Sequence, residues 1–341
     1  MKILVTGGLG YVGSHTVLYL LEQGYEPVIV DNLSNSYLEV LDILNDISGK
    51  KLEFHKIDLK HSSELSNLFK KRNFEGIIHF AAHKALGESM EDPMKFYENN
   101  VISLINVLKF SLENRVKNFI FSSSCTVYGQ PDELPISENT DFIETPSPYG
   151  KTKQICEVIL SDIAKKENIK IYSLRYFNPV GAHKSGNLGE WQKNSAQNLV
   201  PLMAQNATGK LDKLIVHGGD YDTPDGSAIR DYIDINDLAE AHVHSLSLIT
   251  RNKVDYLHDY FNLGKGKGIS VLQLISSFEK VTGVKLNYEI KARRPGDIKE
   301  VYADTSKAKQ ILDWEPRFSI SKSLLSAYEW EMKLGKELSQ K

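Results

Sequence analysis

Tyr149 and Lys153 lie four residues apart in the stretch PSPYGKTKQI, which spans residues 146–155. Two prolines interrupt any preceding helix, and the residues after them have a helical pattern, so the phenol and the ammonium share one helical face. Such a pair is ordinary on a surface helix. It also suits proton transfer, because a nearby positive charge favours the phenolate and lowers the tyrosine pKa from its free value of about 10. This stretch alone leaves both interpretations open.

Three serines, Ser122, Ser123 and Ser124, end a predicted strand. In an open parallel sheet, ligands bind at the carboxyl ends of the strands, so these hydroxyls are expected at a cleft. Loop serines can equally bond their own backbone. Beside the Tyr149–Lys153 pair, however, a serine hydroxyl could bond a sugar or alcohol oxygen while the phenolate takes its proton and hydride leaves the carbon.

Gly7, Gly10 and Gly13 form a G-x-x-G-x-x-G array at the first strand-to-helix turn. Glycines let the turn tighten and let a pyrophosphate approach the helix N-terminus, where N–H groups favour an anion. Asp31 ends the next strand, where a carboxylate accepts hydrogen bonds from the adenosine ribose and repels a 2′-phosphate, so the pattern predicts NAD rather than NADP. Asp58 follows the third strand and suits the adenine side, although a helix N-cap would also explain it.

Alternating strands and helices are predicted in the first half of the chain. The predicted strands are 2–6, 27–31, 52–59, 76–82, 118–124 and 169–177. The predicted helices are 12–23, 61–72, 94–113 and 150–167. Strands apolar on both faces and separated by helices predict a parallel sheet covered on both sides. The predicted elements of the second half are helices at 195–208 and 234–249, a strand at 213–218, and short strands with two or three helices over 260–341.

The composition excludes several classes of protein. Its formal net charge of -3 and the lack of a basic block argue against nucleic acid as a partner. Cys125 and Cys156 provide neither a disulfide framework nor a metal-ligand cluster, which is typical of a reducing cytoplasm. No apolar run approaches the roughly 20 residues of a membrane span, and the N-terminal MKILVTGG enters a strand without an export signal. We therefore expect a soluble, cytoplasmic protein without a metal, membrane or nucleic-acid partner.

Longer strings resemble a known family. The glycine array, Asp31, the serine-rich strand end and the Tyr149–Lys153 pair together resemble the extended short-chain dehydrogenase/reductases. More narrowly, VTGGLGYVGSHT, DNLSNS, HFAAHKALGES, SSSCTVYG, SPYGKTK, RYFNPVGAH, IRDYIDINDLAEAHV and RRPGD resemble the UDP-galactose (UDP-glucose) 4-epimerases in order and spacing. The resemblance implies a Rossmann-type doubly wound parallel sheet with a smaller α/β C-terminal lobe. It also implies NAD-dependent epimerisation at carbon 4 of a UDP-hexose, through a transient 4-keto sugar.

The resemblance assigns roles to individual residues. Tyr149 is the acid/base, Lys153 holds the nicotinamide ribose and tunes the phenol, and Ser124, four residues before Tyr128, bonds the reacting hydroxyl. The positions that match the family's cofactor site, besides Tyr149 and Lys153, are Gly7, Gly10, Tyr11, Val12, Gly13, Asp31, Asn32, Asn35, Asp58, Leu59, Phe80, Ala81, Lys84, Asn99 and Phe177. Lys84 would be an ordinary surface lysine without the A-x-x-K match.

The nucleotide-sugar positions follow in the same way. Besides Ser124 and Tyr149 they are Asn178, Asn198, Leu199, His217, Arg230, Tyr232, Arg294, Asp297 and Val301. The resemblance implies that Asn178 reaches the diphosphate or sugar, that Asn198 starts a helix able to meet phosphate, and that Asp297 suits the uridine ribose. The two arginines supply planar donor groups suited to a diphosphate.

The chain departs from the family's usual pattern at three positions. Ala82 stands where glycine is usual, and His83 stands where an apolar residue is common. At Val301, some members carry a bulky tyrosine that crowds the sugar 2-substituent, and others carry a small residue and accept N-acetylated sugars. Val301 is small, so the resemblance predicts activity on both plain and N-acetylated UDP-hexoses.

Three alternative functions compete with this interpretation. Nucleotide-sugar 4,6-dehydratases need an Asp-Glu pair directly after the strand-five hydroxyl residue, and Cys125 and Thr126 occupy those places. A nucleotide-sugar 4-reductase would release reduced cofactor. A non-catalytic NAD sensor on the same fold would have no need of Ser124, Tyr149 and Lys153 together.

The predicted domain division places residues 1–175 in an NAD-binding domain, to which the chain returns near 234–249. Residues 176–341 form the nucleotide-sugar lobe. Helices 94–113 and 150–167 could pair across a two-fold axis, as in the epimerases that the chain resembles, so a homodimer is expected.

Overall fold

The protein is described from a computed structural model that covers residues 1–194, 196–251, 257–294 and 296–338. Four predicted features include residues outside these ranges. They are the predicted helix 195–208, the string RRPGD, the elements predicted over 260–341 and the lobe predicted over 176–341.

The strands of the described chain are numbered in sequence order. They are β1 Lys2–Thr6, β2 Glu26–Asp31, β3 Glu53–Lys56, β4 Gly76–His79, β5 Asn118–Ser124, β6 Lys170–Tyr176, β7 Asn178–Val180, β8 Leu214–His217, β9 Ile229–Asp234, β10 His258–Leu263, β11 Gly268–Ser270, β12 Tyr288–Lys291 and β13 Glu300–Val301.

The helices are numbered in the same way. They are α1 Tyr11–Glu22, α2 Glu39–Ser48, α3 Ser62–Lys71, α4 Leu86–Glu91, α5 Pro93–Tyr97, α6 Ser103–Glu113, α7 Pro148–Lys166, α8 Leu199–Ala207, α9 Ile235–Thr250, α10 Val271–Thr282, α11 Ser306–Leu312 and α12 Ile320–Leu338. A π-helical turn, Glu98–Ile102, joins α5 to α6, and a 3-10 turn, Cys125–Tyr128, follows β5.

Seven parallel strands form the main sheet, in the order β10-β6-β5-β4-β1-β2-β3. The order reverses direction between β1 and β4, and such a switch point leaves a crevice at the carboxyl ends of the strands. The predicted doubly wound parallel sheet is therefore confirmed.

Helices cover both faces of this sheet. On one face α1 and α9 bury Val17, Leu20, Leu238 and Leu246 in one apolar core. On the other face α3, α6 and α7 bury a second core. Each buried Leu or Val side chain contributes about 1.5–3 kcal/mol of transfer free energy, so these two layers fix the frame that carries the strand ends.

A smaller lobe lies beside the sheet. β7, β9, β11 and β13 form one mixed sheet, and β8 pairs with β12 in a second. α8, α10 and α12 pack on these strands around a third core. Among the described residues, no helix combines the length and the apolar character needed to cross a bilayer.

The observed elements agree with most of the predicted ones, and the differences have local causes. Helix α7 begins two residues earlier than the predicted 150–167, because Pro148 fits the first turn and Ser147 caps it by accepting a 3.1 Å hydrogen bond from Gly150 N. The predicted helix 94–113 is divided by the π-helical turn into α5 and α6. Helices α2 and α4 were not predicted.

Candidate active site

The candidate catalytic side chains meet at the carboxyl end of β5. Ser124 is the last residue of β5, Tyr149 is the second residue of α7, and Lys153 lies one turn further along that helix. The Ser124 hydroxyl lies close enough to the Tyr149 phenol to act on its pKa, which it lowers, and Lys153 Nζ lies 5.9 Å from the centroid of the Tyr149 ring. Lys153 Nζ also donates a 2.6 Å hydrogen bond to the carbonyl oxygen of Ser122. The structure therefore brings together the three residues selected for proton chemistry.

Burial controls the charge states of this group. Ser124, Tyr149 and Lys153 are each less than a tenth exposed. Burial raises the pKa of Tyr149 well above its ordinary value, and the neighbouring Tyr176 raises it further. Burial also lowers the pKa of Lys153 to about 8. In the protein alone the phenol is therefore protonated at neutral pH, and the expected lowering of its pKa requires a positive charge in addition to Lys153.

Tyr176 is a neighbour of this group that the sequence analysis did not select. It ends β6 and pairs in register with Ser124 of β5. Its phenol oxygen lies 2.5 Å from Ser122 Oγ, and its ring packs edge-on against His242, with centroids 5.8 Å apart. The sequence could have indicated Tyr176, because it lies in the string RYFNPVGAH and near the carboxyl end of a predicted strand.

The two residues after Ser124 bear on the dehydratase alternative. Cys125 and Thr126 begin the 3-10 turn, and Thr126 N donates a 3.3 Å hydrogen bond to Ser124 Oγ. Burial raises the pKa of the Cys125 thiol to about 12. Neither side chain can therefore act as a carboxylic acid or carboxylate in elimination chemistry.

The glycine array forms a tight cradle between β1 and α1. Gly7 has a φ of +68°, and a Cβ there would lie 2.8 Å from Ala81 N. A Cβ on Gly13 would lie 2.3 Å from the Gly7 carbonyl oxygen. Gly10 is the N-cap of α1 and offers no side-chain cap, and the first turn holds no acidic residue. The helix N-terminus is thus open to an anion, as a dinucleotide pyrophosphate requires.

Tyr11 and Val12 continue from this cradle into α1. The Tyr11 hydroxyl donates a 2.6 Å hydrogen bond to the carbonyl oxygen of Gly181, and the Val12 side chain packs against the core under α1. Tyr11 thereby ties the cradle to the connection that leads into the smaller lobe.

Asp31 organises the loop at the adenosine end. Its carboxylate accepts hydrogen bonds from Leu9 N at 3.2 Å, Leu33 N at 2.9 Å and Ser36 Oγ at 2.7 Å. It therefore joins the glycine cradle to the loop after β2. Two carboxylate oxygens have about four acceptor positions, so these three bonds are compatible with a further bond to a ribose hydroxyl.

The other residues selected on this side lie close by. Asn32 Nδ2 lies 3.4 Å from Asp58 Oδ2. Asp58 accepts from Lys60 N at 3.0 Å and does not cap α3, whose N-cap is His61. Leu59 is buried in the second core. The helix-cap explanation of Asp58 is therefore wrong, because a turn separates it from the helix.

Four more of the selected residues lie between β4 and α6, three of them in the loop directly after β4. Phe80 packs against His242, with ring centroids 4.8 Å apart, and Ala81 lies against Gly7. Asn99 is in the π-helical turn and donates a 3.1 Å bond to Asn100 Oδ1. Single π-helical turns are frequent at functional sites. The Lys84 ammonium pairs with a glutamate of the smaller lobe, described below.

A charged cluster forms the other end of the site. Arg230 Nη2 donates a 2.9 Å bond to Asp297 Oδ1, and Arg294 Nε lies 3.3 Å from Asp297 Oδ2. His217 Nδ1 lies 3.4 Å from the Ala292 carbonyl oxygen. The two arginines and the aspartate that the resemblance assigned to the nucleotide are thus in direct contact with one another.

The other positions that the resemblance assigned to the substrate lie on β7, on β9 and at the start of α8. Asn178 in β7 pairs with Tyr232 of β9. Asn198 is the N-cap residue of α8, and Leu199 is the first residue of that helix. Asn198 makes no capping bond with its side chain, so the N-terminus of α8 keeps its N–H groups for an anion.

Val301 and Phe177 lie in one small apolar cluster with Val127 and Tyr128, directly after Ser124. Val301 is 1% exposed. Val301 also pairs in register with Arg230 of β9, so it lies between the charged cluster and the apolar residues that follow Ser124.

Among residues 1–194, 196–251, 257–294 and 296–338, no three His, Cys, Asp or Glu side chains are grouped so as to hold a metal ion. The polar residues of the site form two groups instead. One surrounds Ser124 and the glycine cradle, and the other surrounds Arg230.

Comparisons with known proteins agree with this geometry. Residues 4–325 match the family model described as GDP-mannose 4,6 dehydratase. The chain is 45% identical over 332 residues to the UDP-glucose 4-epimerase of Yersinia enterocolitica, covering 97% of both chains. Its structure matches that of the UDP-glucose 4-epimerase from Bifidobacterium longum, in complex with NAD+ and UDP, with a TM-score of 0.94 and 43% identity, covering 98% of both chains.

A further structural relative is the UDP-Glc/GlcNAc 4-epimerase of Campylobacter jejuni, with a TM-score of 0.82 and 34% identity, covering 97% of this chain and 99% of that one. The family model names a dehydratase, but Cys125 and Thr126 lack the acid/base pair of that chemistry. The chain belongs to the UDP-glucose 4-epimerases within that wider family.

Proposed function

We propose that this protein is an NAD-dependent isomerase that interconverts UDP-glucose and UDP-galactose at carbon 4. The observation that carries the proposal is the buried Ser124–Tyr149–Lys153 group, which lies at the carboxyl end of β5 beside the glycine cradle. Family membership and the NAD+ and UDP bound by the Bifidobacterium longum relative support it.

The cradle fits a dinucleotide. Gly7 and Gly13 leave no room for a Cβ, the α1 N-terminus has no acidic neighbour in its first turn, and Asp31 lies where an adenosine ribose would end. When bound there, NAD would supply reversible hydride chemistry at carbon 4 of the sugar. Lys84, Asn99 and Phe80 line the same strand ends and are proposed to contact the cofactor.

The proton is handled by the chain itself. We propose that Tyr149 takes the proton of the sugar 4-hydroxyl and gives it back, while Ser124 bonds the same oxygen. Because burial raises the pKa of Tyr149, the phenolate needs both the Lys153 ammonium and the positive charge of the oxidised cofactor. The proton transfer therefore depends on occupancy of the cofactor site.

We propose that the charged cluster holds the UDP group. Arg230 and Arg294 share Asp297, so a diphosphate can take over their donor groups and leave the carboxylate for the uridine ribose. Charge-assisted, forked hydrogen bonds from arginine suit this recognition. Asn178, Asn198, His217 and Tyr232 complete the proposed UDP-sugar site.

We also propose that N-acetylated UDP-hexoses are substrates. Val301 is small and packs beside Phe177 and Val127, near the catalytic end. The Campylobacter jejuni relative is described as acting on both Glc and GlcNAc. Turnover of UDP-galactose without turnover of UDP-N-acetylgalactosamine would refute this extension and leave the main proposal intact.

Tyr149→Phe tests the mechanism. Without the phenolic hydroxyl, kcat should fall about 10²- to 10⁴-fold, while the purified variant still carries NAD, since the cradle is unchanged. The measurement is epimerisation of UDP-galactose with no added cofactor, together with the nucleotide content of the denatured protein. Normal activity in this variant would overturn the proposed chemistry.

Three further proposals concern organisation. Residues 1–175, with the return segment near 234–249, form the cofactor domain, and residues 176–341 form the nucleotide-sugar lobe. A homodimer forms through α6 and α7, which expose Ile105 and Val158 on their outer faces. The protein works in the cytoplasm, consistent with Cys125 and Cys156 both being free.

A further inference from the structure

One segment of the connection between β7 and α8 contains no residue that was assigned to the site. Residues 190–194, EWQKN, are here called the strap. At one end the strap contacts the loop after β4, and at the other end it contacts the loop after β2. β1 lies between β4 and β2 in the sheet, so the strap crosses in front of the carboxyl end of β1, where the glycine cradle lies.

The first contact is made by Glu190. Its Oε1 lies 3.1 Å from Lys84 Nζ and accepts a 3.1 Å hydrogen bond from Asn198 Nδ2. The carboxylate is only 8% exposed, and a buried carboxylate is stable only when it is paired and hydrogen-bonded. Burial raises the pKa of the Tyr11 phenol, and the nearby Glu190 carboxylate raises it further. It therefore sits across the cradle, between a cofactor residue and a substrate residue.

The second contact is aromatic. The Trp191 ring stacks on Tyr37, with centroids 4.5 Å apart and planes at 23°. Trp330 of α12 supports Trp191 from another side, with centroids 6.5 Å apart. Tyr37 belongs to the loop that Asp31 organises at the adenosine end. A stacked aromatic pair stabilises the contact beyond the apolar area that it buries.

The third contact ties down the same loop. Lys193 Nζ donates a 2.8 Å hydrogen bond to the Leu33 carbonyl oxygen, and Lys193 N donates a 3.1 Å bond to the Asn35 carbonyl oxygen. Asn194 N donates a 3.1 Å bond to Asn35 Oδ1. Leu33 has a φ of 60°, which is uncommon for a residue other than glycine, and the strap bonds the carbonyl oxygen of this residue.

We propose that the strap closes the adenosine end of the dinucleotide groove and retains the cofactor, with Trp191 and Lys193 as the retaining residues. Release of NAD then requires the Trp191–Tyr37 stack and the Lys193–Leu33 bond to open. Glu190 links the strap to Asn198, so a nucleotide sugar held at the start of α8 also holds the strap closed. This inference rests on the proposed function, because it presumes that NAD occupies the cradle.

The test compares the rate of NAD release from Trp191→Ala and Lys193→Ala with that of the parent protein. Each protein is purified with its nucleotide, passed through a desalting column, and sampled over time for NAD that remains bound. Trp191→Ala should release NAD about 3- to 10-fold faster, the change that corresponds to losing one aromatic pair. Lys193→Ala should show a smaller increase. Added UDP should slow release from the parent more than from Trp191→Ala.

Lys184→Ala is the matched control. Lys184 lies in the same connection, pairs with Glu22 of α1 at 2.8 Å, and has its ammonium 5.4 Å from the centroid of the Tyr19 ring, but it does not touch the strap contacts. Its release rate should equal that of the parent. Trp191 also packs on Trp330, so Trp191→Ala could fail to fold. In that case Tyr37→Ala, which removes the same stack through its other ring, tests the proposal by the same release measurement.

The outcomes separate the two proposals. Release from Trp191→Ala or Tyr37→Ala at the parent rate overturns the strap and leaves the proposed function standing. A parent protein that neither carries nor binds NAD overturns the proposed function and the strap together. Faster release, with kcat restored by saturating NAD, supports both.

Discussion

The catalytic and nucleotide-binding groups of the candidate site are stabilised in different ways. Lys153 is 3% exposed, and its ammonium bonds a main-chain carbonyl of the central sheet. The Arg294 side chain, by contrast, is 51% exposed, and it shares Asp297 with Arg230. One group is fixed by burial in the frame of the fold, and the other is neutralised by ion pairs between side chains.

This difference shows how the two tasks are divided. Burying Lys153 and Tyr149 costs stability, but it holds the reacting groups in position before a substrate arrives. Partly exposed ion pairs contribute little to stability, and their partners can be exchanged for a ligand. We therefore expect substitutions in the first group to change kcat and substitutions in the second group to change KM.

Of the three substitutions that compare the two groups, Ser124→Ala should give the largest effect. It removes one hydrogen-bond donor from the reacting oxygen, so kcat should fall about 10²- to 10³-fold with KM for UDP-galactose nearly unchanged. Steady-state kinetics with each sugar nucleotide measure both constants. An increase in KM without a loss of kcat would contradict the division of tasks.

Arg230→Lys should give a smaller effect, on KM rather than on kcat. The planar donor group is lost, and hydrogen bonds to charged groups contribute about 1.5–3 kcal/mol, so KM should rise about 10- to 100-fold with a modest change in kcat. Arg293→Lys is the control, since Arg293 pairs with the exposed Asp220 and lies over Tyr221, outside the assigned set. Equal changes in the two variants would show that Arg230 has no special role.

Lys153→Met should lower kcat, because it removes the ammonium that the proposed proton transfer needs. Its effect on the stability of the nucleotide-free protein is the smallest of the effects compared here. Burial lowers the pKa of Lys153 from 10.5 to about 8, so between these values the unfolded chain binds more protons than the folded chain. The cost of the buried ammonium is therefore present below pH 8 and is relieved as the pH rises. Relative to the Met variant, the nucleotide-free parent should gain about 2 kcal/mol in free energy of unfolding between pH 7 and pH 10.

Denaturant unfolding of both proteins at the two pH values provides that comparison. The buried tyrosines titrate in both proteins, so their contributions cancel when the free energy of unfolding of one protein is subtracted from that of the other. A difference that does not change with pH would mean that Lys153 is not held in a low-dielectric position.

The sequence predicted the parallel sheet and much of the site because strand ends and helix starts are local features. Gly7, Asp31 and Ser124 each lie at the end of a predicted strand, so their meeting at one edge followed from the topology of a parallel sheet. Helix α2 was not predicted, and it buries only Val40 and Leu44, a single pair of positions one turn apart. The helix-cap explanation of Asp58 failed because a turn precedes α3.

Other features depended on contacts between residues far apart in the chain. Glu190 meets Lys84 across more than a hundred positions, and no local pattern in EWQKN indicates that Trp191 would reach Tyr37. Tyr176 raises the pKa of Tyr149 only because β6 lies beside β5. Burial, which decides the direction of both the Tyr149 and the Lys153 shifts, cannot be read from residue spacing.

The sequence by itself determined which groups could do chemistry, since residue type and helical spacing fix a phenol, an ammonium and a hydroxyl at particular points of the chain. It also determined the cradle, since only glycine fits at Gly7 and Gly13. The tertiary structure alone decided the charge states of those groups and the path of the strap. The reason is physical. Desolvation and long-range contacts depend on what surrounds a side chain in space, and the spacing of residues along the chain does not determine those surroundings.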